Sequence, residues 1–365
     1  MKIIAHSSFN FRNIERATIY PDEEVNIIYG ENGQGKTNLI ESIWLMTGFY
    51  SFKARKNIQL IKYDCDEAAI ESRFYSHGRE QNAQMKINQK KELILNGVKE
   101  ESPRAMMRSF YAVVFSPVTL GIIKEGPSER RKLLDVALSL IKPNYALIMS
   151  KYLRAVTQRN NLLKKMGDKA KDNRFYFEPW EEEIVRLGTE IIKYRLNYIE
   201  NLSQAASEIY NDISSGREKF EFCYDFMQEN ADKETIREKL RAGIDRSWEA
   251  DLKRLYTGAG PHSDDLIMKL NGRDAKLYGS QGQQRSCALA IKLAEASMIE
   301  KAVEESPVIL LDDVMSELDE KRQSFILNYL GNRQVFITCC EPSTLLRKGR
   351  GKVFEVKEGN VEEID

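Results

Sequence analysis

The stretch GENGQGKT, from Gly30 to Thr37, decides the fold, because it fits the phosphate-binding pattern G-x-x-x-x-G-K-[ST]. An apolar run precedes it, Val25 to Tyr29, and a helical pattern follows it, Leu39 to Met46. In this order of strand, loop and helix, backbone N–H groups surround a phosphate. The sequence therefore predicts a nucleotide-binding α/β fold.

Each residue type in the loop has its own chemical role. Glycines let the backbone N–H groups turn toward phosphate oxygens. Lys36 should reach the β- and γ-phosphates, and the hydroxyl of Thr37 should bind Mg²⁺. The residues expected to contact ATP are Gly30, Glu31, Asn32, Gly33, Gln34, Gly35, Lys36 and Thr37.

A second stretch, VILLDDVMSELD from Val308 to Asp319, supplies the other half of the site. Its four apolar residues predict a strand that is buried on both faces. Asp312 and Asp313 follow the strand, and we assign Asp312 to Mg²⁺ and Asp313 to the attacking water. Such a pair alone also fits a helix cap or a solvated turn. The phosphate loop favours the catalytic interpretation.

A third stretch, YGSQGQQRS from Tyr278 to Ser286, precedes an amphipathic helical pattern. The segment from Ser280 to Gln283 resembles the ABC-type signature S-x-G-Q, which caps the γ-phosphate bound to the other subunit. We expect Ser280, Gly282 and Gln283 to contact nucleotide, with Ser280 acting in catalysis. A polar loop before a helix is otherwise usually only a cap.

The segment from Ser316 to Asp319 completes the set, because it resembles the D-loop that crosses between two ATPase heads. These motifs lie near opposite ends of the chain, so the ends must meet in the fold. Together the motifs predict a homodimer with two composite ATP sites.

Length, charge and cysteine content limit what such an ATPase can be. The 365 residues are enough for two lobes, and the 55 basic and 55 acidic residues balance. A DNA-binding surface must therefore come from local clusters of charge. The five cysteines form no C-x-x-C pair and fit reduced thiols. Without a long apolar stretch, the sequence predicts a cytoplasmic protein with no membrane partner.

The chain divides into three segments. Residues 1–126 predict a mixed sheet around one helix, with a hairpin turn at Asn96-Gly97. Residues 127–255 predict an antiparallel pair of helices of about 20 residues each, and residues 256–365 return to strands. The predicted fold class is α/β, an ABC-type P-loop ATPase head with a mixed sheet (lobe I) and an inserted helical lobe or arm (lobe II).

The whole chain resembles the RecF family, bacterial recombinational-repair ATPases related to the heads of SMC proteins. Besides the ATPase motifs, the resemblance rests on NFRN at Asn10 to Asn13, GPSERRKLLD at Gly126 to Asp135 and NGRD at Asn271 to Asp274. It implies that Arg12 and Asn13 contribute to the nucleotide site.

The resemblance also implies a function. In this family, ATP is expected to close two protomers into a clamp on double-stranded DNA, and hydrolysis to open it. The clamp would help to load recombinase at gapped DNA during recombination, replication restart and the SOS response. The implied partners are RecR and RecO. DNA contacts should be mostly to phosphates and should weaken with salt.

The chain departs from the family pattern at one place and from the pattern of ABC ATPases in general at two. The motif G-P-H-R-D-D has Ser263 in place of arginine, and we expect the neighbouring His262 to make local hydrogen bonds. Cys339-Cys340-Glu341 stands where many ABC ATPases have a switch histidine. Asp313 stands where most have glutamate. Because aspartate is shorter and positioning dominates phosphoryl transfer, we predict slow hydrolysis that serves as a switch.

Two basic clusters are candidates for DNA contact, although either can be a solvated face. The first consists of Lys53, Arg55, Lys56 and Lys62. The second consists of Lys151, Arg154, Arg159, Lys164, Lys165, Lys169, Lys171 and Arg174, of which Lys151 and Arg154 are the first candidates.

Three other functions share part of this pattern. The ATPase subunit of an ABC transporter would have the same ATP motifs but a shorter helical lobe and a membrane partner. A P-loop metabolic kinase would leave the signature and the D-loop without a purpose. A purely structural DNA-binding protein would not need the paired aspartates. The motifs favour the DNA clamp.

Overall fold

The computed structural model describes residues 1–227, 229–340 and 351–364. The chain forms two compact units. Unit 1 comprises Met1–Leu120 and Lys292–Asp365, and unit 2 comprises Gly121–Ile291.

Unit 1 is built mainly of strands. These are β1 (Lys2–Phe11), β2 (Ile14–Ile19), β3 (Val25–Tyr29), β4 (Ala68–Ser76), β5 (Arg79–Ile87), β6 (Lys91–Leu95), β7 (Val98–Glu100) and β8 (Ala112–Phe115), followed near the C-terminus by β12 (Val308–Leu311), β13 (Val335–Cys339), β14 (Gly351–Lys357) and β15 (Asn360–Ile364). Its helices are α1 (Lys36–Leu45), α2 (Pro117–Leu120) and α9 (Glu320–Leu330), with 3-10 helices at Asn57–Leu60, Pro103–Arg108 and Met315–Glu317.

The strands form two sheets of six. One is antiparallel, with the order β2-β1-β4-β5-β6-β7. The other is mixed, with the order β15-β14-β3-β13-β12-β8, in which β15 alone runs antiparallel to its neighbour. Every residue of β12 is buried, as predicted for Val308 to Leu311. Helix α1 contacts β1 of the first sheet and β13 of the second.

The turn at Asn96-Gly97 joins β6 to β7, as its sequence predicts. Both residues have positive φ angles, 50° and 81°, which Asn and Gly adopt most easily. Leu95 pairs with Val98 directly across the turn.

Unit 2 is mainly helical. It contains α3 (Pro127–Ile141), α4 (Pro143–Met166), α5 (Glu178–Ser214), α6 (Lys233–Arg254) and α7 (Ala275–Tyr278), a 3-10 helix at Gly167–Tyr176, and the strands β9 (Phe220–Tyr224), β10 (Leu266–Leu270) and β11 (Arg273–Asp274). Helix α8 (Gln281–Val303) contains the boundary between the units.

Helices α4 and α5 pack together, as expected for the predicted pair of helices. Tyr145, Tyr152 and Leu163 of α4 and Ile184 and Ile191 of α5 are fully buried. Helix α5 has 37 residues and is much longer than predicted.

Strand β9 lies inside the segment that we predicted to be helical. Only five residues long, it alternates buried Phe220, Phe222 and Tyr224 with less buried neighbours. It pairs with β10, which we had expected to join the nucleotide-binding sheet. Because of this pairing, residues 256–291 belong to unit 2, and the helical unit ends later than the predicted boundary at residue 255.

Candidate nucleotide-binding site

The phosphate loop between β3 and α1 needs its glycines for two reasons. Gly30, Gly33 and Gly35 have φ angles of 152°, 84° and 122°, which side chains strongly disfavour. Space is also short, since a Cβ atom on Gly30 would lie 2.3 Å from the carbonyl oxygen of Val356. The loop conformation therefore requires glycine at these positions.

Lys36 is the first residue of α1, and its side chain turns back over the loop. The ammonium group donates hydrogen bonds to the carbonyl oxygens of Gly30 and Glu31, the latter at 2.9 Å. Lys36 is only 7% exposed. A cation held at this position neutralises phosphate oxygens bound by the loop.

Asn13 supports the loop from the side. Its Nδ2 donates to the carbonyl oxygen of Gln34 at 2.9 Å, and its Oδ1 accepts from Nδ2 of Asn38 at 2.8 Å. The backbone N–H of Gly359 donates to the same Gln34 carbonyl oxygen. Asn13 thus contacts the loop itself, and direct contact with nucleotide stays a prediction.

Arg12 contacts Glu41, a residue to which the sequence analysis assigns no role. Its guanidinium donates two hydrogen bonds to Glu41 of α1, which is completely buried. Ser51 donates a third hydrogen bond to the same carboxylate. A charged residue within the apolar helical pattern from Leu39 to Met46 was the available signal. The predicted role of Arg12 as a nucleotide ligand is not established by this geometry.

The two halves of the predicted site come together at one edge of the mixed sheet. Strand β13 lies between β3 and β12, so the residues after all three strands are neighbours. Thr338 donates a hydrogen bond to the Asp312 carboxylate at 3.0 Å, and the hydroxyl of Thr37 lies nearby. Burial raises the pKa of Asp312, and the two hydroxyl groups oppose the increase.

Asp313 has an unusual backbone, with a φ angle of 55°. Its N–H donates to the hydroxyl of Thr338 at 2.8 Å, and its carboxylate accepts from Ser316 at 3.1 Å. Thr338 thus holds both aspartates, donating to one and accepting from the other. We missed its role, although a hydroxyl near the end of the apolar strand β13 was visible in the sequence.

The predicted Mg²⁺ ligands fit that ion. The hydroxyl of Thr37 and the carboxylate of Asp312 are hard oxygen ligands, and they are close enough for the hydroxyl to lower the pKa of the carboxyl. The described residues include no cluster of three or more His, Cys, Asp or Glu side chains arranged for a metal. Mg²⁺ normally takes only one or two carboxylates and completes its shell with water and phosphate.

The signature residues begin α8 in a reciprocal cap. The N–H of Ser280 donates to Oε1 of Gln283 at 2.7 Å, and the N–H of Gln283 donates to the Ser280 hydroxyl at 3.3 Å. Glu218 accepts from the Gln283 side chain at 2.5 Å and from Tyr210 at 2.6 Å. The cap interpretation is therefore correct locally. Nucleotide contact by Ser280, Gly282 and Gln283 stays a prediction.

Two of the departures from the family pattern have defined surroundings. His262 hydrogen-bonds to the hydroxyl of Tyr152 at 2.6 Å and to the carbonyl oxygen of Thr257 at 2.9 Å, as predicted. The thiol of Cys340 lies 3.2 Å from the Asn32 side chain in the phosphate loop. Glu341, the last residue of the Cys-Cys-Glu segment, lies outside the described residues.

The basic candidates for DNA contact differ in their surroundings. Lys53, Arg55, Lys56, Lys151 and Arg154 are exposed. Lys164, Lys165, Lys169 and Lys171 are also exposed, whereas Lys62, Arg159 and Arg174 are less exposed and form ion pairs.

Arg159, a member of the second basic cluster, does not lie on the surface of the protein. It is completely buried and bonds Glu181 at 2.9 Å and Asp251 at 2.8 Å. Its place on the inner face of α4 was not visible from composition alone. Arg174 pairs with Asp245, and Lys62 of the first cluster pairs with Glu15 at 2.6 Å.

Comparison with known proteins gives a consistent result. The model of the RecF/RecN/SMC N terminal domain family matches residues 4–361. The chain is 36% identical over 357 residues to the DNA replication and repair protein RecF of Lachnospira eligens, covering 96% of each protein. It is 40% identical over 341 residues to that of Caldanaerobacter subterraneus subsp. tengcongensis, covering 90% of this chain and 91% of the relative.

One solved structure is also similar to this chain over its whole length. It is that of the recombination mediator protein RecF-ATPrS in the RecFOR pathway, with a TM-score of 0.91 at 37% identity. The alignment covers 100% of this chain and 98% of that one. Among the described residues, no helix has both the length and the apolar character needed to cross a bilayer.

Proposed function

Because this chain belongs to the RecF family of ATPases, we propose that it is an ATP-dependent homodimeric clamp for double-stranded DNA, acting in the cytoplasm in recombinational repair and replication. One observation carries the ATPase part of the proposal. Strand β13 lies between β3 and β12, and the hydroxyl of the phosphate-loop residue Thr37 is close enough to Asp312 to lower the pKa of its carboxyl, so one site contains both halves of the predicted machinery. Family membership does not favour the alternative of a transporter subunit.

In the proposed reaction, each residue acts at a stated position. The loop N–H groups bind phosphate oxygens, and the Lys36 ammonium moves from the loop carbonyl oxygens to the β- and γ-phosphates. Thr37 and Asp312 would hold Mg²⁺, which would supply positive charge to neutralise the phosphates. Asp313 orients the attacking water. Catalysis then consists of positioning and charge stabilisation.

The φ angle of Asp313 suggests why hydrolysis would be slow. Aspartate and asparagine adopt φ near +55° more readily than glutamate does. The local backbone therefore favours the shorter carboxylate, which reaches less far toward the water. Slow hydrolysis suits a switch in which the ATP-bound state must last.

The second half of each composite site would come from the other protomer. Ser280 is exposed at the beginning of the 23-residue helix α8, whose N-terminus favours an anion. We propose that Ser280, Gly282 and Gln283 contact the γ-phosphate bound by the partner protomer. ATP would thereby close the dimer, and hydrolysis would open it.

The names of the similar proteins suggest the pathway in which this chain acts. One is a recombination mediator protein of the RecFOR pathway, and others are DNA replication and repair proteins. We extend this to the present chain and propose RecR and RecO as partners in recombinase loading at gapped DNA. Lys53, Arg55 and Lys56, with Lys151 and Arg154, are the proposed phosphate contacts.

The first test is fluorescence anisotropy of a labelled duplex titrated with the protein at fixed salt. Parallel titrations contain no nucleotide, Mg-ADP or Mg-ATP. Tighter binding with ATP alone supports the proposal, and Lys36→Ala should abolish the difference. Equal binding in all three titrations would reject an ATP-driven clamp.

A mixing experiment tests the composite site. Lys36→Ala removes the phosphate cation, and Ser280→Arg blocks the signature. Either variant alone should be inactive as an ATPase, while an equal mixture forms heterodimers that retain one intact site. An inactive mixture, with heterodimers demonstrated by tagged pull-down, would contradict independent composite sites.

A further inference from the structure

Residues 50–56, the basic segment, carry the cations Lys53, Arg55 and Lys56. Two hydrogen bonds, one helical turn apart on α1, hold the beginning of this segment. The carboxylate of Glu41 accepts a hydrogen bond from Ser51. One turn later, Nε1 of Trp44 donates to the carbonyl oxygen of Tyr50 at 3.0 Å. The beginning of the basic segment therefore follows any movement of α1.

A single hydroxyl fixes the backbone of this segment. While Ser51 donates to Glu41, its oxygen accepts from the N–H groups of Lys53 at 2.8 Å and Ala54 at 2.5 Å. Ser51 is only 9% exposed, so water does not readily replace these bonds. The Ser51 hydroxyl thus fixes the backbone at Lys53 and Ala54.

The other end of α1 is the nucleotide site. The helix begins with Lys36 and Thr37 and has ten residues, so Glu41 lies less than two turns from the phosphate loop. The same carboxylate also accepts both hydrogen bonds of Arg12. The basic segment and the nucleotide site thus share one rigid element.

We propose that Glu41 and Ser51 are positioning residues that couple nucleotide binding at the phosphate loop to the placement of Lys53, Arg55 and Lys56. Movement of α1 on ATP binding shifts Glu41, and the Ser51 hydroxyl transfers the shift to the backbone of the basic segment. The proposal rests on the proposed function only for what these cations bind. The coupling itself needs no DNA.

Hydrogen-deuterium exchange without DNA tests the coupling. In the wild-type protein, Mg-ATP should change amide exchange in the peptide containing residues 50–56 by about fivefold, the lower end of usual coupling energies. Ser51→Ala should lose this response while still binding ATP, and Ser51→Thr, which keeps the hydroxyl, should retain it. Ser7→Ala is the matched control, because Ser7 hydrogen-bonds Thr18 on the face of β1 opposite to His6 and Ser8, which contact Ser42 of α1.

Two outcomes would overturn the proposal. One is a wild-type protein whose exchange in this peptide does not respond to ATP. The other is a Ser51→Ala variant that responds as the wild type does. If Ser51→Ala folds poorly, Trp44→Phe gives a second test: it removes the indole N–H donor to Tyr50 together with part of the ring, and it should reduce the response.

DNA titrations then separate this proposal from the proposed function. Ser51→Ala should leave duplex affinity without nucleotide within about twofold and reduce the ATP-induced tightening by about tenfold. A merely structural role would weaken binding equally with and without ATP. A wild-type protein that shows no tightening with ATP rejects the clamp, whereas the exchange experiment still decides the coupling.

Discussion

Arg12 and Glu41 form a bidentate ion pair beside the phosphate loop. Nε of Arg12 donates to Oε2 of Glu41 at 2.9 Å, and Nη2 donates to Oε1 at 3.0 Å. Glu41 is completely buried, and Arg12 is partly exposed. Such a carboxylate requires its cation, because an unpaired buried charge is strongly destabilising.

Removal of the cation should therefore destabilise unit 1. We expect Arg12→Met to lower the free energy of unfolding by about 3 kcal/mol, because Glu41 would stay buried without a partner. The double variant Arg12→Met, Glu41→Met should recover much of this loss. Denaturant unfolding measures both effects, with Arg16→Met at an exposed position of β2 as control. Additive losses in the double variant would contradict the pairing.

Thr338 offers a test of the catalytic edge. Thr338→Val keeps the shape of the side chain but removes the donor to Asp312 and the acceptor for the N–H of Asp313. We expect ATP hydrolysis to fall about tenfold, with ATP binding largely retained, because both carboxylates lose their orientation. Steady-state hydrolysis and nucleotide titration separate the two effects.

The control for this variant is Thr18→Val, which removes an exposed hydroxyl that contacts only the edge of the antiparallel sheet. Unchanged hydrolysis in Thr338→Val would show that the aspartates are positioned without that hydroxyl.

Asp313 combines a chemical and a backbone requirement. Asparagine tolerates its φ angle of 55° but cannot accept a proton, so Asp313→Asn should bind ATP and lose hydrolysis by about a hundredfold. Asp313→Glu should not exceed the wild-type rate, since the longer side chain is strained there by about 1 kcal/mol. Single-turnover hydrolysis checks both variants. A faster Asp313→Glu enzyme would refute the backbone argument.

Sequence reasoning succeeded where the chemistry was local. The loop from Gly30 to Thr37 is contiguous, and the strand before Asp312 is a simple apolar run, so both were predictable from spacing. Glu41, Thr338 and Arg159 were not, because their roles depend on partners far away in the chain. The same reason explains β9, whose pairing with β10 joins segments that the helix α6 separates.

The second basic cluster contains a buried residue, Arg159, and exposed residues such as Lys151. Arg159→Met should destabilise unit 2 by about 3 kcal/mol, since Glu181 and Asp251 would both lose their cation. Lys151→Ala, at an exposed position of the same helix, should change stability by less than about 0.5 kcal/mol. Calorimetric or denaturant unfolding compares them directly.

The same pair separates stability from DNA contact. If α4 contacts phosphates, Lys151→Ala should weaken duplex binding and reduce the salt slope by about one unit. Arg159→Met should leave the salt slope unchanged in the folded protein. A salt slope that falls for Arg159→Met and not for Lys151→Ala would contradict the placement of these residues.

His6 makes the stability of unit 1 depend on pH. It is completely buried on β1, where its ring nitrogens hydrogen-bond Ser72 and Ser42 at 2.7 Å, and burial lowers its pKa from 6.5 to about 3. Below the ordinary pKa, the unfolded chain takes up a proton that the folded chain excludes. The contribution of His6 to the free energy of unfolding is therefore present above pH 6.5 and falls as the pH decreases toward 3.

The slope of this effect approaches about 1.4 kcal/mol per pH unit for one group. His6→Gln, which can still hydrogen-bond but does not titrate, should be less stable than the wild type near neutral pH. The difference should shrink in urea unfolding at about pH 5, because only the wild type loses stability through this residue. A difference that stays constant with pH would mean that the pKa of His6 is the same in the folded and unfolded states.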